Sequence, residues 1–261
     1  MNEVNKTLYI PLYGKTFVSR KGIILHDAKA EEIWEKEGFA LKGKSKSKWL
    51  AYNMAMRARV FDDWTDSMLE KDPDAIVIHI GCGMDSRCLR VKQPYKCWMD
   101  CDFPDVIAAR KKYYQESDAY HMTELDATDT ERFRSLPDSD SAVIVLEGIS
   151  MYLTNDQLRN LLSALKQKYN KINVFMDVYT VRGAEASEKK NPINDVGVTK
   201  TYGVDDIDGL ISGTGVKKTA EHSFTPAYLI NELKPSEKGF FKMLFTGRTY
   251  SKFYRLYELA S

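Results

Sequence analysis

Gly81-Cys82-Gly83 stands directly after the apolar run Ala75-Ile76-Val77-Ile78-His79-Ile80. Glycines at the first and third positions of a turn let the backbone pass close to a ligand with no Cβ in the way. The pattern opens a G-x-G-x-x-G dinucleotide fingerprint, but Ser86 occupies the place of the third glycine. Asp100 and Asp102 lie 19 and 21 positions beyond Gly81, where an acid accepts hydrogen bonds from both ribose hydroxyls of an adenosine and repels a 2′-phosphate. Asp126, in Leu125-Asp126-Ala127-Thr128, stands where an adenine amino group could donate, and Glu147 follows the apolar run Ala142–Leu146. Any one such acid could simply cap the next helix. Four successive strand ends that each carry an acid point instead to a nucleoside site.

These residues need strands to bring them together. Apolar runs at Ala75–Ile80, Cys97–Met99, Tyr120–Met122, Ala142–Leu146 and Ile172–Met176 read as strands, the first nearly unbroken as in a parallel sheet buried on both faces. Helical segments alternate with them. Thr154-x-x-Gln157 is a capping box leading into the stripe Leu158, Leu161, Leu162, Leu165 and Tyr169, and Pro104 suits the first turn of a helix after Asp102. Strand and helix in alternation predict a doubly wound α/β sheet. It is mostly parallel, with the period-two segment Tyr250–Leu259 as an antiparallel C-terminal edge strand. Residues 1–70, with helical spacing from Trp49 to Leu69, read as an N-terminal helical cap, and 71–261 as one compact core. Between the cap helices a lysine at every second position, Lys42 to Lys48, reads as a solvated loop, or as one that attracts an anionic substrate or membrane surface. The polar segment Arg182–Thr201 fits no element.

The 261 residues carry 38 Lys+Arg against 37 Asp+Glu. This balance lacks the basic footprint of a nucleic-acid binder, and no apolar stretch is long enough to span a membrane. Met1–Lys6 carries no secretory pattern, so the expected location is cytoplasmic. Cys82, Cys88, Cys97 and Cys101 lack paired C-x-x-C spacing, so no metal is expected. They read as buried reduced thiols, with Cys82 in the glycine loop as the candidate for reactivity.

Four segments together, Arg57-Ala58-Arg59-Val60-Phe61-Asp62-Asp63, Gly81–Arg87, Asp102-Phe103-Pro104 and Glu147–Leu153, resemble the leucine carboxyl methyltransferase family, including the tetracenomycin-type polyketide O-methyltransferases. They stand in the family's order and span roughly residues 8–180. The resemblance implies a Rossmann-like class I methyltransferase sheet that binds S-adenosyl-L-methionine and releases S-adenosyl-L-homocysteine. It also implies roles. Lys15 matches a basic position near the cofactor, Arg59 the arginine that pairs with the methionine carboxylate, Gly81 and Gly83 the glycine turn, Asp102 the ribose ligand, Asp126 and Ala127 the adenine flank, and Glu147 the methionine end. Arg57 and Arg59 are separated by one residue, so only one can point inward. Arg182–Gly247 matches nothing in the family, so the acceptor is not carried over and protein phosphatase methylation is not expected.

The resulting expectation is an O-methyltransferase for a small-molecule acceptor, polyketide-like or carboxylate, without nucleic-acid or membrane partners, as monomer or homodimer. Transfer from a sulfonium mainly needs alignment; a carboxylate acceptor needs no base and a phenol would benefit from one, for which Tyr152, His26 and His222 are the candidates, while His79 and His121 lie within strands. Two alternatives stand beside it. A nicotinamide-dependent oxidoreductase fits the Gly81-x-Gly83 turn but not Ser86 or the lack of a Tyr-x-x-x-Lys dyad, and a non-catalytic binding or scaffold protein fits any such fold.

Overall fold

The computed structural model describes residues 8–39, 41, 43–190 and 200–261. Its centre is a seven-stranded sheet: β1 (Ile76–Ile80), β2 (Trp98–Asp102), β3 (Tyr120–Glu124), β4 (Ser141–Leu146), β5 (Lys171–Tyr179), β6 (Lys217–His222) and β7 (Tyr254–Ala260), in the order β3-β2-β1-β4-β5-β7-β6. β1 to β5 are parallel; β7 runs antiparallel to β5, and β6 antiparallel to β7. The last strand is thus antiparallel, as its alternation predicts, but it is not the edge. Lys217–His222 pairs outside it, a segment too polar to stand out as a strand by hydrophobic pattern, since one face stays in water.

The runs that read as strands are strands because their residues are buried on both faces. All five residues of β1 and all six of β4 are buried. Ile76, Ile78 and Ile80 pack with Ile144, Ile172 and Val174 against α6 (Asn155–Lys168), whose capping box and Leu158–Leu165 stripe form as predicted. On the other face Val77, Val143 and Phe175 meet α1 (Tyr9–Ser19), α2 (Ala28–Glu37) and α3 (Lys48–Lys71). Helices on both faces make the fold doubly wound. The apolar core runs unbroken across residue 70: Trp64 of α3 stacks on Phe175 with centroids 4.7 Å apart, and Phe61 meets the same ring edge-on.

The short helices α4 (Arg87–Arg90) and α5 (Pro104–Arg110) follow β1 and β2, and Pro104 opens α5 in its first turn. Beyond β5 come α7 (Val181–Lys190), α8 (Ile207–Ile211), α9 (Ala227–Ile230), α10 (Pro235–Phe245) and α11 (Gly247–Ser251). The polar Arg182–Thr201 segment therefore begins as helix; 191–199 lie outside the described residues, as do Met1–Lys6 and Lys42. The rest of the lysine run forms a short 3-10 turn (Gly43–Lys46) and the start of α3.

Phe175 has no exposed surface and joins α3 to the sheet. Its replacement by Ala is expected to cost about 3–5 kcal/mol in urea unfolding followed by tryptophan fluorescence, a loss below about 1 kcal/mol being incompatible with this packing.

Candidate functional site

The direction of the chain's connections reverses between β1 and β4, and there, beyond the carboxyl ends of the strands, an open α/β sheet binds ligands. A cavity of about 390 Å³ lies at this place, within the usual range of small-molecule sites. Lys15, Gly81, Gly83, Asp102, Asp126, Ala127, Glu147 and Tyr152 all line it, so one site gathers eight of the residues singled out from sequence. Arg59, His26 and His222 do not line it.

The glycine turn has the backbone that such a site needs. Gly81 and Gly83 hold φ of 72° and 52°, a region that favours glycine. A Cβ on Gly81 would also meet Ile149 Cδ1 at 2.9 Å. Arg110, fully buried on α5, donates to the carbonyls of Gly83 and Asp85 at 2.8 Å each and pairs with Asp100, fixing the turn from behind. Asp102, at the tip of β2, accepts from the amides of Gly83 at 2.7 Å and Phe103 at 2.8 Å. Burial pushes its carboxyl above the ordinary value despite these two donors. Asp100, by contrast, faces His79, Trp98 and Arg110 inside the protein, and Arg110 and His79 hold it below the usual range against the effect of burial. Of the two acids, Asp102 is the one that reaches the cavity.

The same geometry separates the two arginines, and Arg59, the one matched from sequence to the cofactor, is not the one that faces the cavity. Arg59 is 31% exposed and faces away, donating to Asp63 at 2.7 Å and to the Ile24 carbonyl at 3.0 Å. Ile24 stands at φ 68°, costly for a β-branched residue, so Arg59 helps to hold a strained turn. Arg57, one helical position pair earlier, turns inward. Its guanidinium reaches Glu147 at 2.8 Å, Asp177 at 3.2 Å and the Tyr254 hydroxyl at 2.8 Å and lines the cavity. A step of two residues on a helix turns a side chain by about 200°, which puts the two arginines on opposite faces.

Behind the cavity wall lies a buried ion network. Lys15 of α1 pairs with Asp85 at 2.7 Å; Arg90 pairs with Asp27, Asp62 and Asp85 at 2.7–2.8 Å; Arg87 pairs with Asp62 and Glu147. Burial alone would raise the Asp85 carboxyl, yet Arg90, Lys15 and Arg87 hold it well below the usual range; Arg57 and Arg87 likewise lower Glu147 against its burial. Asp177, buried at the end of β5 and bonded to Tyr254, stays above its ordinary value because burial outweighs Arg57. Asp177 and Tyr254 went unmarked in the sequence, although a fifth strand-end acid was there to be read.

The remaining candidates fall away from the cavity. His26 is exposed on the α1–α2 turn, with Nδ1 3.4 Å from Ser19 Oγ. His222 pairs with Glu258 at 2.7 Å, edge-on to Phe175. Cys82 lines the cavity but is 2% exposed, and burial pushes its thiol far up; it is not a reactive thiolate. No group of three or more His, Cys, Asp or Glu among the described residues has the geometry to hold a metal ion.

Folded-state depression of Asp85, Asp100 and Glu147 means that the unfolded chain takes up protons first as pH falls. The stability they contribute is whole above about pH 5 and is lost as pH drops through about 4 toward the folded values. Asp85→Asn leaves Lys15 and Arg90 short of a buried counter-charge and is expected to cost about 3–5 kcal/mol at neutral pH. It should also flatten the acid limb of stability, both read by urea denaturation across pH 3–8.

Residues 3–166 match the family model of leucine carboxyl methyltransferase. The chain is 28% identical over 241 residues to a tetracenomycin polyketide synthesis O-methyltransferase of Streptomyces glaucescens, covering 90% of this chain and 88% of that one. It is 33% identical over 135 residues to an S-adenosyl-L-methionine-dependent methyltransferase of Gibberella zeae, covering 48% and 45%. In fold it is similar to the magnesium protoporphyrin IX methyltransferase of Synechocystis solved with bound S-adenosylhomocysteine, with TM-score 0.53 and 12% identity over 95% of this chain and 99% of that chain. The ordered motifs, the sheet that gathers them and a family match over more than half of its length agree: the chain belongs to the leucine carboxyl methyltransferase family of S-adenosylmethionine-dependent methyltransferases.

Proposed function

We propose that this chain is an S-adenosylmethionine-dependent O-methyltransferase for a small, largely apolar acceptor, polyketide-like or bearing a carboxylate. The observation that carries this reading is a single cavity with two unlike walls. One wall is the glycine turn with Asp102, Asp126 and Glu147; the other, from α1, α3 and the segment after β4, presents Ile10, Leu50, Met54 and Met151. The similarity to the tetracenomycin enzyme supports the oxygen acceptor.

The residues fit the cofactor. A Cβ-free turn at Gly81 gives the backbone room to approach a ligand, and Asp102 has two backbone donors but its remaining lone pairs free to accept from a ribose diol. Ala127 is small and buried beside Asp126, at the place of an adenine ring. Arg57 offers a planar fork for an amino-acid carboxylate, and Glu147 an acceptor for its ammonium.

When bound, the cofactor supplies a methyl group on a sulfonium, an electrophile strong enough that alignment dominates the barrier. The chain's own work is then to position and to dry. Ordering two reactants can contribute on the order of 7–11 kcal/mol. Leu12, Leu50 and Met54 cover the cavity with apolar surface that keeps water from the reacting oxygen. His79 is the one histidine lining the cavity among the described residues, and Asp100 and Arg87 hold its ring inside β1. A wall without a poised base suits an acceptor that is ionised by itself at neutral pH, as a carboxylate is. For a phenolic substrate, the hydroxyl of Tyr152, which lines the cavity, is a hydrogen-bonding group that could orient the acceptor.

Asp102→Ala is expected to weaken S-adenosylmethionine binding at least about tenfold, which corresponds to about 1.4 kcal/mol, in calorimetric titration; unchanged affinity removes the ribose assignment. In the same titration Arg57→Ala should lose at least about tenfold while Arg59→Ala stays within about twofold. Release of S-adenosylhomocysteine with small carboxylic acids and phenols as acceptors tests the reaction itself, and the absence of turnover with every acceptor of both classes would count against it.

A further inference from the structure

We infer that α10, which packs on the start of α3, docks the protein onto an anionic lipid bilayer. Three apolar side chains of this helix face water: Phe240 is 45%, Met243 63% and Leu244 40% exposed. Their spacing, i, i+3 and i+4, places them on one face, while Phe241, about 100° further round the helix from Phe240, is fully buried against Tyr52. Single exposed apolar residues are ordinary, but three on one stripe of an 11-residue helix mark a surface that meets something.

Charge says what. From residue 234 to 252 the chain carries Lys234, Lys238, Lys242, Arg248 and Lys252 against a single acid, Glu237, in a protein whose total charge is only +1. Glu237 is already taken, by Lys48 at 2.8 Å and the Tyr52 hydroxyl at 3.0 Å. Among the described residues none of the five cations has a carboxylate within ion-pair distance. A second copy of this chain seated face to face would bring like charges together. An anionic bilayer instead accepts the apolar side chains at the headgroup boundary and attracts the cationic residues on the helix's other side and in its flanking segments.

Position gives the surface a use. Phe240 packs on Trp49 at 4.7 Å, and the next residue of α3, Leu50, lines the acceptor wall of the cavity, with Met54 one turn on. An apolar acceptor dissolved in the bilayer would reach the cavity beside the docked helix.

The test is co-sedimentation of the full chain with large unilamellar vesicles, of phosphatidylcholine alone or mixed with phosphatidylglycerol. Binding is expected to the anionic vesicles, at least about tenfold weaker to the neutral ones, and weakened by about 0.5 M salt. The exposed triple variant Phe240→Ser, Met243→Ser, Leu244→Ser and the pair Lys238→Glu, Lys242→Glu should each lose at least about tenfold, with circular dichroism unchanged. Vesicle binding that ignores both variants, no binding to anionic vesicles, or a wild-type dimer that the triple variant converts to monomer in sedimentation velocity would each overturn the assignment. None of these readouts depends on methyl transfer, so the docking can fail while the proposed reaction stands, and the reverse.

Discussion

Charges kept away from water hold the binding wall in place. Lys15 from α1, Asp27 at the start of α2, and Arg57 and Asp62 from α3 meet Asp85 and Glu147 beyond the tips of β1 and β4 and Arg87 and Arg90 of α4, and none of these side chains exceeds 9% exposure. Burying such ions is costly, and the cost is offset only when every donor and acceptor is met. Arginine meets that demand better than lysine, because its rigid fork serves two or three carboxylates at once: Arg90 reaches Asp27, Asp62 and Asp85 together. The network therefore does what apolar packing alone would do loosely. It fixes the angle at which the helical layer meets the carboxyl ends of β1 and β4, and so the shape of the cavity.

Much of this was legible in the residues, for reasons that differ by residue. The strands of the parallel sheet could be read because burial on both faces forces unbroken apolar runs, and the glycine turn because only glycine accepts its conformation beside a ligand. Asp102, Asp126 and Glu147 could be placed because a strand's end is set by its apolar run, which fixes where the next side chain emerges. Arg57 against Arg59 could not be decided. Helical phase resolves it only once the buried face of α3 is known, and that face carries Asn53, Arg57 and Asp62 among its apolar residues. Partners far apart in sequence were equally invisible: Asp177 and Tyr254 are brought together by an antiparallel pairing across 77 residues. The edge position of β6 was hidden because a strand with one wet face carries too few apolar residues to announce itself.

The acids around this wall divide by what happens to their charge, Asp85, Asp100 and Glu147 being held down by cations while burial leaves Asp102 and Asp177 raised. Asp85 and Glu147 stay ionised because guanidinium and ammonium groups outweigh burial. Among the described residues Asp102 forms no ion pair, only hydrogen bonds from two amides, and burial leaves its carboxyl raised. A carboxylate in that state is poorly solvated by its own protein. Donors arriving from outside, such as a pair of vicinal hydroxyls, satisfy lone pairs that the fold leaves open, so part of the energy that burial withholds from folding becomes available to binding. Glu147 stands between the two classes. It belongs to the network through Arg57 and Arg87 yet faces the cavity, so a ligand that engages Arg57 must share that guanidinium with Glu147 and Asp177. In the proposed reading a zwitterionic amino-acid group would resolve the competition, its carboxylate drawing on Arg57 while its ammonium compensates Glu147. A simple anion would compete with both acids and bring nothing to either. Within this wall, the arrangement of fixed charges selects a ligand end that carries both signs.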